Sequence, residues 1–339
     1  MADKIYKFSS SPHVRAPRTT RQIMIHVCIA LMPACIMGVV LFGLKALLLL
    51  VLSLVSAILS EVVYLLIAKQ KLNDIIKGFD FSSCVTGLLL GMSIGTNYPW
   101  YAPVLGSMFA VIVVKMLFGG TGKNLVNPAV TGRIFVFMSF QTVVSAWAIP
   151  SILSLSGAEI TTGATILTGL PSKEIFGLLD ATNSTLPTLS NLDMLLGAGV
   201  MGCIGETCKL ALIIGGIYLA VIGIINIGYP IIYIAVTGLF AVALNGFNFA
   251  YFLPSILSGG LILGAIFMAT DYTTTPNTTL GNIIYFVALG LITAILRQAT
   301  HMEVVSFAIL LMNLFVPLID KFIINKPFGY KKVKKVKGA

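Results

Sequence analysis

The amino-acid sequence predicts an all-α membrane protein of about ten transmembrane helices in two inverted five-helix halves. Three observations predict it. Of 339 residues, 57% are hydrophobic and only 10% are charged, against roughly 25% charged in soluble domains. The apolar residues gather in runs of span length, and a bilayer core takes about 20 residues per helix while offering the backbone no outside hydrogen bonds. Strand-type alternation, the mark of a β-barrel, is missing.

Residues 1–21 form a basic arm with Lys4, Lys7, Arg15, Arg18 and Arg21. The run after it has span length and no small-residue cleavage site, so the arm reads as retained and cytoplasmic. The first half covers 22–149, with apolar runs near 22–43, 46–68, 82–97, 101–118 and 133–149. A polar loop fills 150–194. The second half, 195–323, opens on a Gly-rich lead-in, Leu195 to Gly205, which reads as a short or re-entrant helix. Its runs lie near 207–226, 228–247, 253–270, 281–297 and 303–323. Residues 324–339 are a basic cytoplasmic tail.

The cations orient this arrangement. With the amino terminus in the cytoplasm, that side collects the arm, Lys69, Lys71 and Lys77, then Lys123 and Arg133, then every Lys from Lys321 onward. The outer side keeps Lys45, Lys173 and Arg297. This asymmetry obeys the positive-inside rule and puts the 150–194 loop outside the cytoplasm. The formal charge of +10 then needs anionic lipid headgroups and no nucleic acid. The tail lysines, from Lys331 to Lys337, serve as a topology and lipid anchor or as a docking site for a soluble subunit.

An odd number of spans per half makes the halves inverted if they are repeats. Ser83 to Trp100 (SCVTGLLLGMSIGTNYPW) and Ser258 to Pro276 (SGGLILGAIFMATDYTTTP) occupy the third span of each half. Both pass from a Gly-rich run through small residues to Asn or Asp and a proline. Such short helices either place free helix ends in the membrane to hold a polar ligand or let neighbouring helices pack closely.

Ionisable residues inside the predicted spans are Glu61, Lys115, Glu206 and Lys209. Each must be paired, neutral or facing water. Glu206 and Lys209 are three apart, a spacing at which they can pair. Glu61 has no such local partner; it is the better ion-pathway residue, with Lys115 able to reach it across helices. The cysteines, Cys28, Cys35, Cys84, Cys203 and Cys208, form no CxxC, so they read as packing residues and no metal site is expected. Gly119 to Lys123 (GGTGK) lacks the spacing and hydroxyl of a phosphate loop, so the chain should not bind NAD itself.

One loop motif stands out, Thr161 to Leu167 (TTGATIL). Gly163 and Ala164 leave Thr165 without steric cover, presenting its hydroxyl for modification or marking an ordinary linker. With Ser10 to His13 (SSPH), Gly119 to Gly132 (GGTGKNLVNPAVTG), Gly205 to Thr207 (GET) and Met268 to Pro276 (MATDYTTTP), this loop resembles the NqrB/RnfD family of membrane subunits. The likeness runs in order along nearly the whole chain. Its length is closer to the Rnf branch, which serves ion-translocating ferredoxin:NAD oxidoreductases. The family's attachment motif commonly has Asp where Glu159 stands, so the charge is kept.

The resemblance implies a flavin-carrying electron-transfer subunit, part of a translocase and without a catalytic residue of its own. A flavin transferase would attach FMN to Thr165 through a phosphoester. A second, non-covalent flavin, riboflavin, would lie near the cytoplasmic side against Asn124 and Asn127, whose carboxamides suit a ring edge or ribityl chain. Asp271, Thr274 and Thr275 form the matching edge of the other half, or else cap a helix at the membrane surface. Glu61, Glu206 and Lys115 would lie on a Na+ or H+ pathway. Implied partners are the other Rnf subunits, including one with its own covalent FMN, in the bacterial cell membrane. Two other readings fit the pattern: a small-solute channel or carrier of inverted-repeat architecture, and a scaffold whose hydroxyl loop only joins two bundles.

Overall fold

The computed structural model describes residues 18–140, 147–148, 162–163, 191–197, 202–300 and 302–324. Thr165, most of the 150–194 loop, the arm before Arg18 and the tail from 325 lie outside the described residues. Among the described residues the fold is helical apart from one two-residue antiparallel pair, β1 (Trp147–Ala148) with β2 (Thr162–Gly163), in which Trp147 is in register with Gly163.

In the first half, α1 (Thr20–Phe42) begins on a reciprocal cap. The Thr19 hydroxyl accepts the Gln22 N–H, and the Gln22 carboxamide accepts the Thr19 N–H, which satisfies two donors that a helix start leaves free. A single residue, Gly43, joins α1 to α2 (Leu44–Ile67). Its φ of 73° lies in a region that costs glycine little and other residues much, so the chain reverses there. A short α3 (Leu72–Gly78) then meets α4 (Ser82–Met92) at a bend of 70°. α4 lies close on α2, because a Cβ on Gly87 would stand 2.9 Å from both the Leu54 Cα and the Ser53 carbonyl oxygen. The Ser53 hydroxyl bonds the Gly87 carbonyl at 2.7 Å across that contact. α5 (Tyr101–Met108) continues into a π-helical stretch (Phe109–Met116), and α6 (Pro128–Ser139) closes the half.

The second half runs through α7 (Asn191–Leu196), α8 (Lys209–Ile222), α9 (Gly228–Leu244), a 3-10 turn (Phe249–Tyr251), α10 (Phe252–Leu257), α11 (Leu261–Leu263), α12 (Thr279–Thr300) and α13 (Val305–Phe322). α11 passes into a π-helical turn (Gly264–Met268), and that segment bends 67° from the preceding one. Thus each half contains one broken element. The breaks fall at 79–81 and 258–260, where Phe81 (φ 64°) and Gly259 (φ 60°) take left-handed backbone.

By length and composition α1, α2, α12 and α13 can cross a membrane, and up to six spans result if each bent pair counts as one. The π-extended α5, α8 and α9 are apolar but shorter. Several expected boundaries move. α6 starts at Pro128 rather than 133, because Asn127 caps it and proline is well placed at the first helical position. The expected span 253–270 is broken in the middle, and 82–97 ends at Met92.

One apolar core takes Leu31, Leu49, Leu89 and Val130 from the first half and Leu212, Tyr233, Leu261 and Val305 from the second. Large apolar side chains also cover the outside, with Leu44 at 62%, Ile67 at 76% and Val221 at 81% exposure. Apolar surface both inside and out is the pattern of helices solvated by lipid.

Candidate functional site

A cleft opens between α1, α4, the π-helical end of α5, the 121–129 loop, the end of α8 and residues 266–273. Its apolar lining is Val27, Val85, Leu89, Leu219, Ile266 and Phe267. Ser82, Thr86, Lys115, Thr121, Asn124, Asn127, Thr270, Asp271 and Thr273 supply the polar lining. The structure therefore brings Lys115, Asn124, Asn127 and Asp271 to one place, although they come from separate segments.

Each polar group is held. Lys115 is buried and donates to the Glu61 carboxylate at 2.9 Å, the Ser82 hydroxyl at 2.6 Å and the Ser83 hydroxyl at 3.0 Å. All three ammonium donors are thereby used, and Glu61, on α2, sits behind the lysine as its partner. Ser82 and Thr121 each donate to Asp80 at 2.6 Å. Burial works to raise the Asp80 carboxyl, but the Lys115 ammonium and these hydrogen bonds hold it below the ordinary carboxylate value. Asn124 gives its two N–H groups to the Val126 carbonyl at 3.1 Å and the Thr273 hydroxyl at 3.2 Å.

Asn127 acts first as a structural residue. Its carbonyl oxygen accepts the Ala129 and Val130 N–H groups, and its amide nitrogen donates to the Met268 carbonyl at 3.1 Å in the other half. Asp271 accepts the N–H and hydroxyl of Thr273 at 3.2 and 2.9 Å. Asp271 is half-buried, and burial raises its carboxyl above the ordinary value against the hydrogen bonds from Thr273. Thr274 is buried and Thr275 half-buried, and neither lines the cleft.

Glu206 is elsewhere. Its carboxylate accepts the Cys203 N–H at 2.7 Å and lies 4.0 Å from Arg133, which pairs at 3.0 Å with Glu303. The expected Glu206–Lys209 pairing is corrected: Lys209 donates to the Glu206 backbone carbonyl. The cation count assigns Arg133 to the cytoplasmic side and Arg297 to the outer side, but both are buried. Arg297 donates to the carbonyls of Ser255 and Ser258 at 2.8 and 3.1 Å, where α10 ends. Arg133 lies a full turn inside α6, a place its spacing from Pro128 would have revealed. Ligand atoms of Cys203, Glu206 and Glu303 gather within 4.8 Å of one another. Arg133 Nη2 stands among them, 3.6 Å from the Cys203 sulfur, so a guanidinium nitrogen takes the place where a cation would sit.

The chain matches the model of the NQR2, RnfD, RnfE family over residues 7–329. It is 40% identical over 330 residues to a subunit of the Na(+)-translocating ferredoxin:NAD(+) oxidoreductase complex of Acetobacterium woodii, covering 96% of each chain. Against a subunit of the proton-translocating ferredoxin:NAD(+) oxidoreductase complex of Clostridium ljungdahlii it is 36% identical, covering 97% of each. A subunit of the ion-translocating oxidoreductase complex of Stutzerimonas stutzeri is 33% identical, with 91% of this chain and 92% of that one covered. A helical fold with apolar outer faces and a likeness that spans both halves lead to one conclusion: the chain belongs to the NQR2, RnfD, RnfE family.

Proposed function

We propose that this chain is the membrane subunit of an ion-translocating ferredoxin:NAD oxidoreductase, carrying FMN on Thr165 and riboflavin in the cleft. The observation that supports the reading is the meeting of Lys115, Asn124, Asn127 and Asp271 in a cleft that is otherwise lined largely by apolar side chains. A flavin has both characters, a flat ring system and a polyol chain, and when bound it accepts and gives up electrons singly or in pairs. The chain's own part is to hold it. Leu89, Val85, Ile266 and Phe267 would hold the ring by apolar contact, and the Asn124 carboxamide would supply an acceptor for a ligand donor.

The subunit is not catalytic alone. It works with other membrane and peripheral subunits, one of which has its own covalent FMN, and needs a flavin transferase for maturation. The setting is a bacterial cell membrane, with both termini cytoplasmic, the Thr165 loop outside, and about ten spans in two inverted halves. Lys115 on the cleft and Glu61 paired with it, with Glu206 in the second buried cluster, are the charged groups available to the coupled Na+ or H+ movement.

The test is mass spectrometry of the Thr165 peptide from protein made with its flavin transferase. An FMN phosphoester on Thr165, lost in Thr165→Ala while the protein still inserts, is the expected outcome. A clean unmodified peptide at full coverage would refute it and favour the channel or carrier reading.

A further inference from the structure

Asn313 lies in the interior of α13, fully buried in an otherwise apolar stretch. A carboxamide there is costly unless its groups are satisfied. Its amide has one orientation that satisfies both ends. The oxygen then accepts the backbone N–H of Asn127 at 3.1 Å, and the nitrogen donates to the Tyr285 hydroxyl at 2.8 Å and the Ile309 carbonyl at 3.2 Å. Tyr285, on α12, is fully buried too.

The Asn127 N–H has a particular need of that partner. Asn127 caps α6, and in a capping box the third helical residue, Glu or Gln, reaches back to the cap's own N–H. Here the third residue is Val130, which has nothing to offer. A side chain from the opposite half, 186 positions further along the chain, supplies the acceptor. Asn127 is thus tied to the second half twice, by its N–H to Asn313 and by its carboxamide to the Met268 carbonyl in the π-helical turn. Both Asn124 and Asn127 line the cleft and Asn313 does not.

We propose that Asn313 is a positioning residue for the cleft: by accepting the Asn127 N–H it holds the Asn124 to Pro128 segment in place against the second half, with Tyr285 fixing its amide. The proposal rests on the reading of the cleft as a riboflavin site. Its consequence is that riboflavin retention depends on a residue that never touches the ligand.

The experiment uses the intact complex, with the covalent flavin at Thr165 as an internal measure of assembly and extractable riboflavin as the readout. Asn313→Leu should weaken riboflavin by about tenfold or more, since a buried donor loses its partner, and leave the Thr165 adduct at full stoichiometry. Asn313→Asp, which keeps an acceptor for the Asn127 N–H, should restore riboflavin and the visible spectrum of the non-covalent flavin. Tyr285→Phe removes only a hydroxyl and should act in the direction of the leucine variant at smaller size; it carries the test where Asn313→Leu fails to assemble. Full riboflavin in Asn313→Leu or, where that variant does not assemble, in Tyr285→Phe would overturn the proposal and leave the cleft's flavin reading standing. Equal loss in the Asp and Leu variants would also overturn it. A wild-type complex without extractable riboflavin would sink the flavin reading and this proposal together.

Discussion

Two asparagines three positions apart do different work at the cleft. The Asn127 side chain is spent on capping α6 and on the Met268 carbonyl, whereas Asn124 spends its N–H groups on Val126 and Thr273 and its oxygen has no hydrogen-bond partner among the described residues. Asn124→Leu should therefore cut riboflavin retention by about tenfold, the size of one hydrogen bond to a buried ligand, with little change in thermal stability. Asn127→Ala should reduce riboflavin as well, but with a loss of helix-cap stability of about 1 kcal/mol or more. Parallel measurements of riboflavin content and unfolding temperature separate the two. Equal destabilisation by both replacements would show that neither residue is chiefly a ligand. The sequence marks both residues as candidates through their carboxamides, but which atoms remain open depends on neighbours 141 and 149 positions away.

At the scale of elements, each half breaks one helix and sets a buried cation beside the break. In the first half Lys115 bonds Ser82 and Ser83, where α4 begins, and Glu61 balances its charge. In the second, Arg297 bonds the carbonyls that end α10, and Glu303 accepts the Gly260 N–H that opens the next segment. Helix ends leave backbone groups unpaired, and inside an apolar bundle charged side chains can satisfy them. Removing one member of the Glu61–Lys115 pair leaves the other charge buried. Glu61→Leu or Lys115→Met should thus cost about 3–5 kcal/mol, and the double replacement distinctly less than the sum. Thermal unfolding in detergent measures this, and additive losses would mean the two side chains do not depend on each other. The apolar runs and the Gly-rich third elements were legible in sequence. The burial of Arg133 and Arg297 was not, because counting cations by side assumes that each one faces water, and these groups are enclosed by packing.

The whole molecule joins its halves through a common core and through polar ties: the Arg133–Glu303 pair, the Asn127 bonds, and the Gly205 N–H to Met92 carbonyl bond at 2.8 Å. Inversion of the halves would set the two breaks near opposite membrane faces. Reporter fusions test that arrangement at full scale: one placed after Pro150 should read outside the cytoplasm and one at the carboxyl terminus inside. Both on the same side would refute the inverted topology.

The sequence by itself determined the apolar character of this protein and the runs from which its long helices are drawn, because hydropathy acts residue by residue and needs no tertiary partner. It also carried the family likeness, since motifs keep their order along the chain. Only the tertiary structure decided which polar residues meet: that Lys115, Asn124, Asn127 and Asp271 share one cleft while Glu206 stands apart with Arg133 and Glu303. The physical reason is that a buried polar group must find partners wherever the packing places them, and in this bundle several of those partners come from the other half of the chain.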